Sequence, residues 1–307
     1  MKRNFTLICL LAASMALLNV SCKKDESYNP KQKISTIEVA QSILSETLVN
    51  GVVQYSESGA IPRSLAERWN WDGDVLTSIT YYDTEGNSSE EKFEYDGKKL
   101  KAITNSEGRC ELIYSKDKLT SVEYLDKSGN REQLYEMTYE KDKISKISDT
   151  HYDKSHHAEA PVVRSVLRFI LPNGNVEAVN GTLAKLSAHG IKGEEHWRDI
   201  YFHWNGDNIS SIEIDALNGN RFTTTYAYDN YDNPYYRLMN FASLPFSSMF
   251  SKNNIVKWSD EYTTTTSTYT YDGSFPQTCV EISLSELSYG NELYRDTYTT
   301  PYYYEYR

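Results

Sequence analysis

The chain has little of what builds a reaction centre. It carries four cysteines in 307 residues. None form a CxxC pair or a Cys/His set at zinc spacing, so neither a thiol redox motif nor a metal site is expected. No GxSxG, HExxH, Walker or dinucleotide-binding fingerprint stands where its structural context exists. No cofactor is implied, and the expectation is a protein that is not an enzyme. Basic residues are outnumbered, 32 Lys and Arg against 43 Asp and Glu, for a formal net charge of −11. With no basic cluster to offset that balance, a phosphate backbone is repelled and nucleic acid is not an expected partner. Long apolar runs are missing too. The run from Leu7 to Val20 spans 14 residues, short of the ~20 that a membrane-spanning helix needs.

That run follows Lys2 and Arg3 and ends in "NVSC", with small Ser21 directly before Cys22. This is the layout of a secretory signal peptide. It resembles the lipobox of bacterial lipoproteins, with Asn19 where leucine is usual. The resemblance implies cleavage after residue 21 and a lipid on Cys22, so the membrane is expected as a partner through that anchor. Cleavage removes Lys2 and Arg3 and no acid, taking the net charge from −11 to −13. The "KKDES" at 23–27 resembles the export signals of some Gram-negative surface lipoproteins. An outer-membrane lipoprotein is therefore expected, at the cell surface ahead of the periplasmic face. Residues 22–33 read as a flexible tether. Cys110 and Cys279 are equally open to a disulfide in an oxidising compartment and to burial as free thiols.

What the sequence has in abundance is one repeated phrase. In "FEYDGKKLKAI", with Tyr95 as position zero, Phe93 lies two before it, Leu100 five after and Ile103 eight after. The frame recurs with Trp69, Trp71, Leu76 and Ile79, with Leu112, Tyr114, Leu119 and Val122, and with Met137, Tyr139, Ile144 and Ile147. It recurs again with Phe169, Leu171, Val176 and Val179, and with Phe202, Trp204, Ile209 and Ile212. Weaker copies begin at Tyr228, at Phe250 (Ile255, Trp258) and at Tyr271 (Pro276, Cys279). Two large residues on one strand face, then Asp-Gly or Asn-Gly, predict a β-hairpin. Positions plus five and plus eight are an odd distance apart, so either both faces are covered or a β-bulge restores one face. Turns such as "DTEGN" and "DKSGN" join successive copies. The result is an all-β antiparallel meander of up to about 18 strands, and a sheet that wide curls or closes. Residues 34–63 are expected to hold a short N-terminal helix and a connector, because Ile37, Ala40, Leu44, Thr47 and Leu48 keep helical spacing. The repeat domain is 64–307.

"YDGKKLKAI" and its siblings resemble the YD repeats of the Rhs and wall-associated proteins. The stretch "YAYDNYDNPYYRL…KNNIVKW…STYTYDGSFPQ" is similar to a family of secreted bacterial lipoproteins, a domain of unknown function with a porin-like fold. That resemblance implies a barrel-like or strongly curved sheet over residues 64–307 and no catalytic residues. A membrane porin needs an outward apolar band on every second residue. Here strands such as "EQLYEMTYEKDKISKIS" carry charge and hydroxyls on both faces, which predicts a soluble barrel.

Few residues outside the frame invite chemistry. His156-His157 read as solvated loop residues, and His196 and His203, seven apart, fall on opposite faces of a regular strand. Glu194, Glu195 and Asp199 offer carboxylates for a glycoside hydrolase, the least favoured reading. Aromatics remain, with 26 tyrosines and five tryptophans. Trp197, Tyr235 and Tyr236 escape the frame and are the candidates for stacking on a glycan or a protein partner. The leading expectation is a lipid-anchored, ligand-binding envelope protein. The second is a structural subunit that docks on an envelope partner, and a long unpaired sheet edge would favour it.

Overall fold

The computed structural model describes residues 28–152, 195–216, 221–241 and 244–307. Cys22, the signal peptide, His156, His157, Glu194 and the copy at 169–179 lie outside these residues. The strands are β1 (Ile34–Val49), β2 (Val52–Asp72), β3 (Val75–Tyr82), β4 (Ser88–Asp96), β5 (Lys99–Thr104), β6 (Gly108–Ser115), β7 (Lys118–Asp126) and β8 (Arg131–Glu140). They continue as β9 (Lys143–His151), β10 (Glu195–Asn205), β11 (Asn208–Ala216), β12 (Arg221–Asp232), β13 (Asn253–Ser259), β14 (Thr263–Asp272), β15 (Phe275–Tyr289) and β16 (Glu292–Tyr306). Each pairs with its chain neighbours, and β1 pairs with β16, so the meander is a closed antiparallel barrel.

The repeat frame is a bulged hairpin. Position zero faces plus five and minus two faces plus eight in six described copies, among them Tyr95 with Leu100 and Phe93 with Ile103, and Trp71 with Leu76 and Trp69 with Ile79. The register shifts by one residue directly before position zero, leaving plus six unpaired. That bulge turns both apolar residues to one face, which explains the odd spacing. Where plus six is Thr or Ser, its hydroxyl donates to the carbonyl of the residue before position zero. Thr77 bonds Asn70 at 2.9 Å, Thr120 bonds Ile113 at 3.1 Å and Ser210 bonds His203 at 3.0 Å. The position-zero ring then reaches the plus-five carbonyl of the preceding hairpin: Tyr95 to Leu76 at 2.9 Å, Tyr139 to Leu119 at 2.7 Å, Trp204 to Ile144 at 2.7 Å.

Two weak copies are halves of one hairpin. Tyr228 pairs with Ile255 and Tyr226 with Trp258 across β12 and β13, so the copies at Tyr228 and Phe250 share one frame with residues 233–252 inserted at its turn. β9 pairs directly with β10.

The expected N-terminal helix is a strand. Residues 34–49 form β1, hydrogen-bonded to β2 and β16, and β2 takes up the supposed connector. The segment is rich in β-branched Ile34, Thr36, Ile37, Val39, Ile43 and Val49, and closure needs a stave between β2 and β16. Pairing on both sides outweighs the helical spacing. Within the stretch read as a tether, Tyr28 packs on the barrel: its ring stacks on Trp71 at 5.9 Å and its hydroxyl donates to the Pro234 carbonyl at 2.7 Å.

The meander gives the barrel two unlike ends. The near end carries the repeat turns, the insertion, the start of β1 and the end of β16; the far end carries the β1–β2 and β15–β16 turns. The insertion fills the near half of the barrel. Its Leu238, Phe241, Phe246, Met249 and Phe250 are buried in the cluster formed by the inward repeat residues. Phe246 and Phe250 belong to the five-residue helix α1 (Phe246–Phe250). Phe246 meets Phe202 edge-on at 5.7 Å and Tyr135 at 6.3 Å. Outside, the wall is charged: Arg109 bridges Glu94 and Glu111, Arg131 meets Glu123, Lys146 meets Asp199, and Arg221 spans Glu213 and Asp215.

Candidate functional site

Above the apolar plug the inward face turns polar. β8, β9 and β10 bring Gln133, Asp149, His151, Trp197 and Arg198 together. Asp149 is fully buried and Arg198 is 4% exposed. Arg198 Nε donates to Asp149 Oδ2 at 2.9 Å, and Gln133 Nε2 donates to Asp149 Oδ1 at 2.8 Å and to the Tyr135 hydroxyl at 2.9 Å. His151 Nε2 lies 3.1 Å from Gln133 Nε2 and 3.4 Å from Asp149 Oδ1. Burial works against the charge of Asp149, yet Arg198, His151 and Gln133 together hold its carboxyl below the usual range. Arg198 Nη2 and Gln133 Oε1 are buried without a hydrogen-bond partner among the described residues. Such groups are rare, because each loses its water without compensation.

Trp197 stands beside this cluster because β10 bulges between His196 and Arg198. Its ring meets His151 edge-on at 4.6 Å and lies 4.2 Å from the Arg198 guanidinium. The same bulge resets the alternation, so His196 and His203 both face outward, against the expectation of opposite faces. Asp199 also faces outward, accepting from Ser148 at 2.8 Å.

Tyr235 and Tyr236 are not with Trp197. The insertion folds inward, placing Tyr235 6.1 Å from Trp69, where burial pushes its hydroxyl well above the ordinary range. Tyr236 is half-buried with the Arg237 guanidinium 5.0 Å from its ring. A Pro-Tyr-Tyr turn reads as exposed in sequence; only the length of the insertion hints at a plug. Glu67 and Glu91 are the inward carboxylates nearest in character to an acid pair. Each is committed: Glu67 accepts from Trp69 Nε1 at 2.8 Å, and Glu91 accepts from Tyr81 and from Asn240 of the plug, both at 2.9 Å. No group of three metal-ligating side chains occurs among the described residues. Cys110 and Cys279 are buried free thiols.

A second feature lies at the far end. β3 begins to pair with β2 only at Glu67, so Val52–Ala66 have a neighbour, β1, on one side alone among the described residues. With β1, β15 and β16 this stretch forms a four-stranded flap standing beyond the rim. Residues 51–64 are all exposed. The flap holds Leu44, Val52, Val53, Tyr55, Ile61, Leu287, Tyr289 and Tyr294, most of the large exposed apolar side chains, with Tyr289 80% exposed.

No family model matches the chain, and no curated protein matches it. Among solved structures the chain is similar to a porin-like protein from Bacteroides uniformis. The likeness covers 92% of this chain and 100% of the other, at 14% identity and a TM-score of 0.49. The closed barrel of sixteen strands among the described residues stands on its own strand pairing.

Proposed function

We propose that the protein is a lipid-anchored docking protein of the cell envelope, non-enzymatic, that engages an envelope partner through its far-end flap. The observation that carries this reading is the edge of β2 at Val52–Ala66, unpaired among the described residues and set among exposed apolar side chains. The plug supports docking over transport, because aromatic packing fills the barrel where a pore would run. The charged wall supports a barrel in water rather than in lipid. With Cys22 acylated, the short tether holds the near end at the membrane and points the flap away from it. The test is a photo-crosslinking residue at Tyr55 or at Thr120 in cells carrying the full chain. A discrete adduct from Tyr55 and none from the wall position is expected; adducts from neither, with the protein anchored, would end the docking reading.

The orphan Arg198 Nη2 and Gln133 Oε1 favour a second reading, a small polar ligand such as a glycan against Trp197. A glycan array with tryptophan-fluorescence titration tests it. Binding lost in Trp197→Ala, and kept in Tyr236→Ala, is the expected result. A folded protein that binds nothing on the array counts against it.

A further inference from the structure

We infer that the free edge of β2 takes up an extended, cationic segment of a partner polypeptide as an added strand. This inference rests on the docking reading above. An unpaired edge offers a row of backbone N–H and C=O groups whose natural complement is another extended chain. The stretch Val52–Ala66 is on the order of 45 Å of strand, long enough for many ladder bonds. It is scarcely blunted. Pro62 sits near its base, and Arg63 is bound to Glu38 with its guanidinium 3.7 Å from the Tyr303 ring.

The charge of the partner follows from the two faces of the flap. On the outer face the acids are matched: Glu286 meets Arg295 at 2.8 Å, Glu46 lies 4.0 Å from the same arginine, and Glu38 meets Arg63. The inner face continues the inward row of Val39 and Tyr302. There Tyr55 pairs with Thr47, Thr47 with Tyr294 and Tyr294 with Leu287; Glu57 pairs with Ser45, and Ser45 with Asp296. Glu57 accepts only from the Tyr55 hydroxyl, at 2.6 Å, and Glu292 only from that of Tyr294. Neither they nor Asp296 meets a basic side chain among the described residues. A strand laid along β2 sends every second side chain to this face. Lysine or arginine at those positions, with apolar neighbours for the tyrosines and Leu287, completes it. A second copy would bring the same acidic row and lacks the cations.

The experiment uses the mature full chain and three fluorescent twelve-residue probes: alternating Lys-Val, alternating Glu-Val, and Lys-Val with alternate amides N-methylated. Anisotropy should show the Lys-Val probe binding at least tenfold tighter than the Glu-Val probe, and the N-methylated probe should lose that binding. Amide exchange at 52–66 should slow with Lys-Val bound. The double variant Glu57→Lys, Asp296→Lys, folded by circular dichroism, should reverse the preference. Equal binding of the charged probes, indifference to N-methylation, or a concentration-dependent dimer that excludes the probes would overturn the inference. If crosslinking at Tyr55 still gives its adduct in those cases, docking stands and the cationic strand alone falls; if the adduct is missing as well, both fall.

Discussion

Lys116 and Lys141 occupy the first turn position of their hairpins with φ of 58°, where other copies place Gly97, Gly206 and Gly273 at 61°, 57° and 63°. A side chain there is strained, and glycine is not. Lys116→Gly is expected to stabilise the barrel by about 0.5–1 kcal/mol in urea denaturation, after allowing for glycine's unfolded-state entropy. Lys99 bonds the carbonyl of residue 116 at 2.7 Å, and the substitution keeps that carbonyl. Glu67 makes the pH-dependent counterpart. Burial, offset in part by the Trp69 hydrogen bond and reinforced by Glu91, raises its carboxyl from the ordinary carboxylate range to about 7. The folded state therefore holds a proton that the unfolded chain has released. The Glu67 contribution to stability is therefore greatest below pH ~4.5, falls as pH rises through ~7, and is flat above. Glu67→Gln should remove that slope and raise stability at pH 8 by roughly 1–3 kcal/mol, the lower end reflecting its partial contact with water. Thermal melts at pH 5 and pH 8 read both. Residues at this scale were legible where the repeat fixes them. Those that depend on a bulge, Trp197 and His196, were not, since one unpaired residue reverses every face after it.

At the scale of elements, the hairpins were plain in the sequence and the plug was not. Asp-Gly turns between paired apolar residues speak for themselves locally, whereas "FASLPFSSMF" says nothing about the cavity that receives it. Its role is testable. Phe246→Ala removes a ring packed against Tyr135, Phe202, Phe241 and Phe250. It should lower stability by roughly 3–5 kcal/mol in denaturant titration. A loss below 1 kcal/mol would mean that the insertion is a passenger. The misread helix teaches the converse. β1 carries both a helical spacing and β-branched residues, and only its two neighbours, β2 and β16, decide between them.

For the whole molecule, closure is the property that no window of sequence contains, because it joins residue 34 to residue 306. Closure sets the fate of the thiols. Cys110 on β6 and Cys279 on β15 are sealed inside, and burial pushes both thiols well above their ordinary range. Neither should react with a thiol reagent in the native protein, and both should react together in denaturant; early labelling of one would show that the barrel opens piecemeal. The placement of β1 has one more consequence. Its beginning lies at the near end and its body runs the length of the flap between two neighbours. With the near end anchored and a partner docked at the far end, as proposed above, a pull between the two would load β1 lengthwise, against all its ladder bonds at once rather than one after another. The strand that closes the barrel is in this way also its tension member, and drag on the partner would be borne in shear.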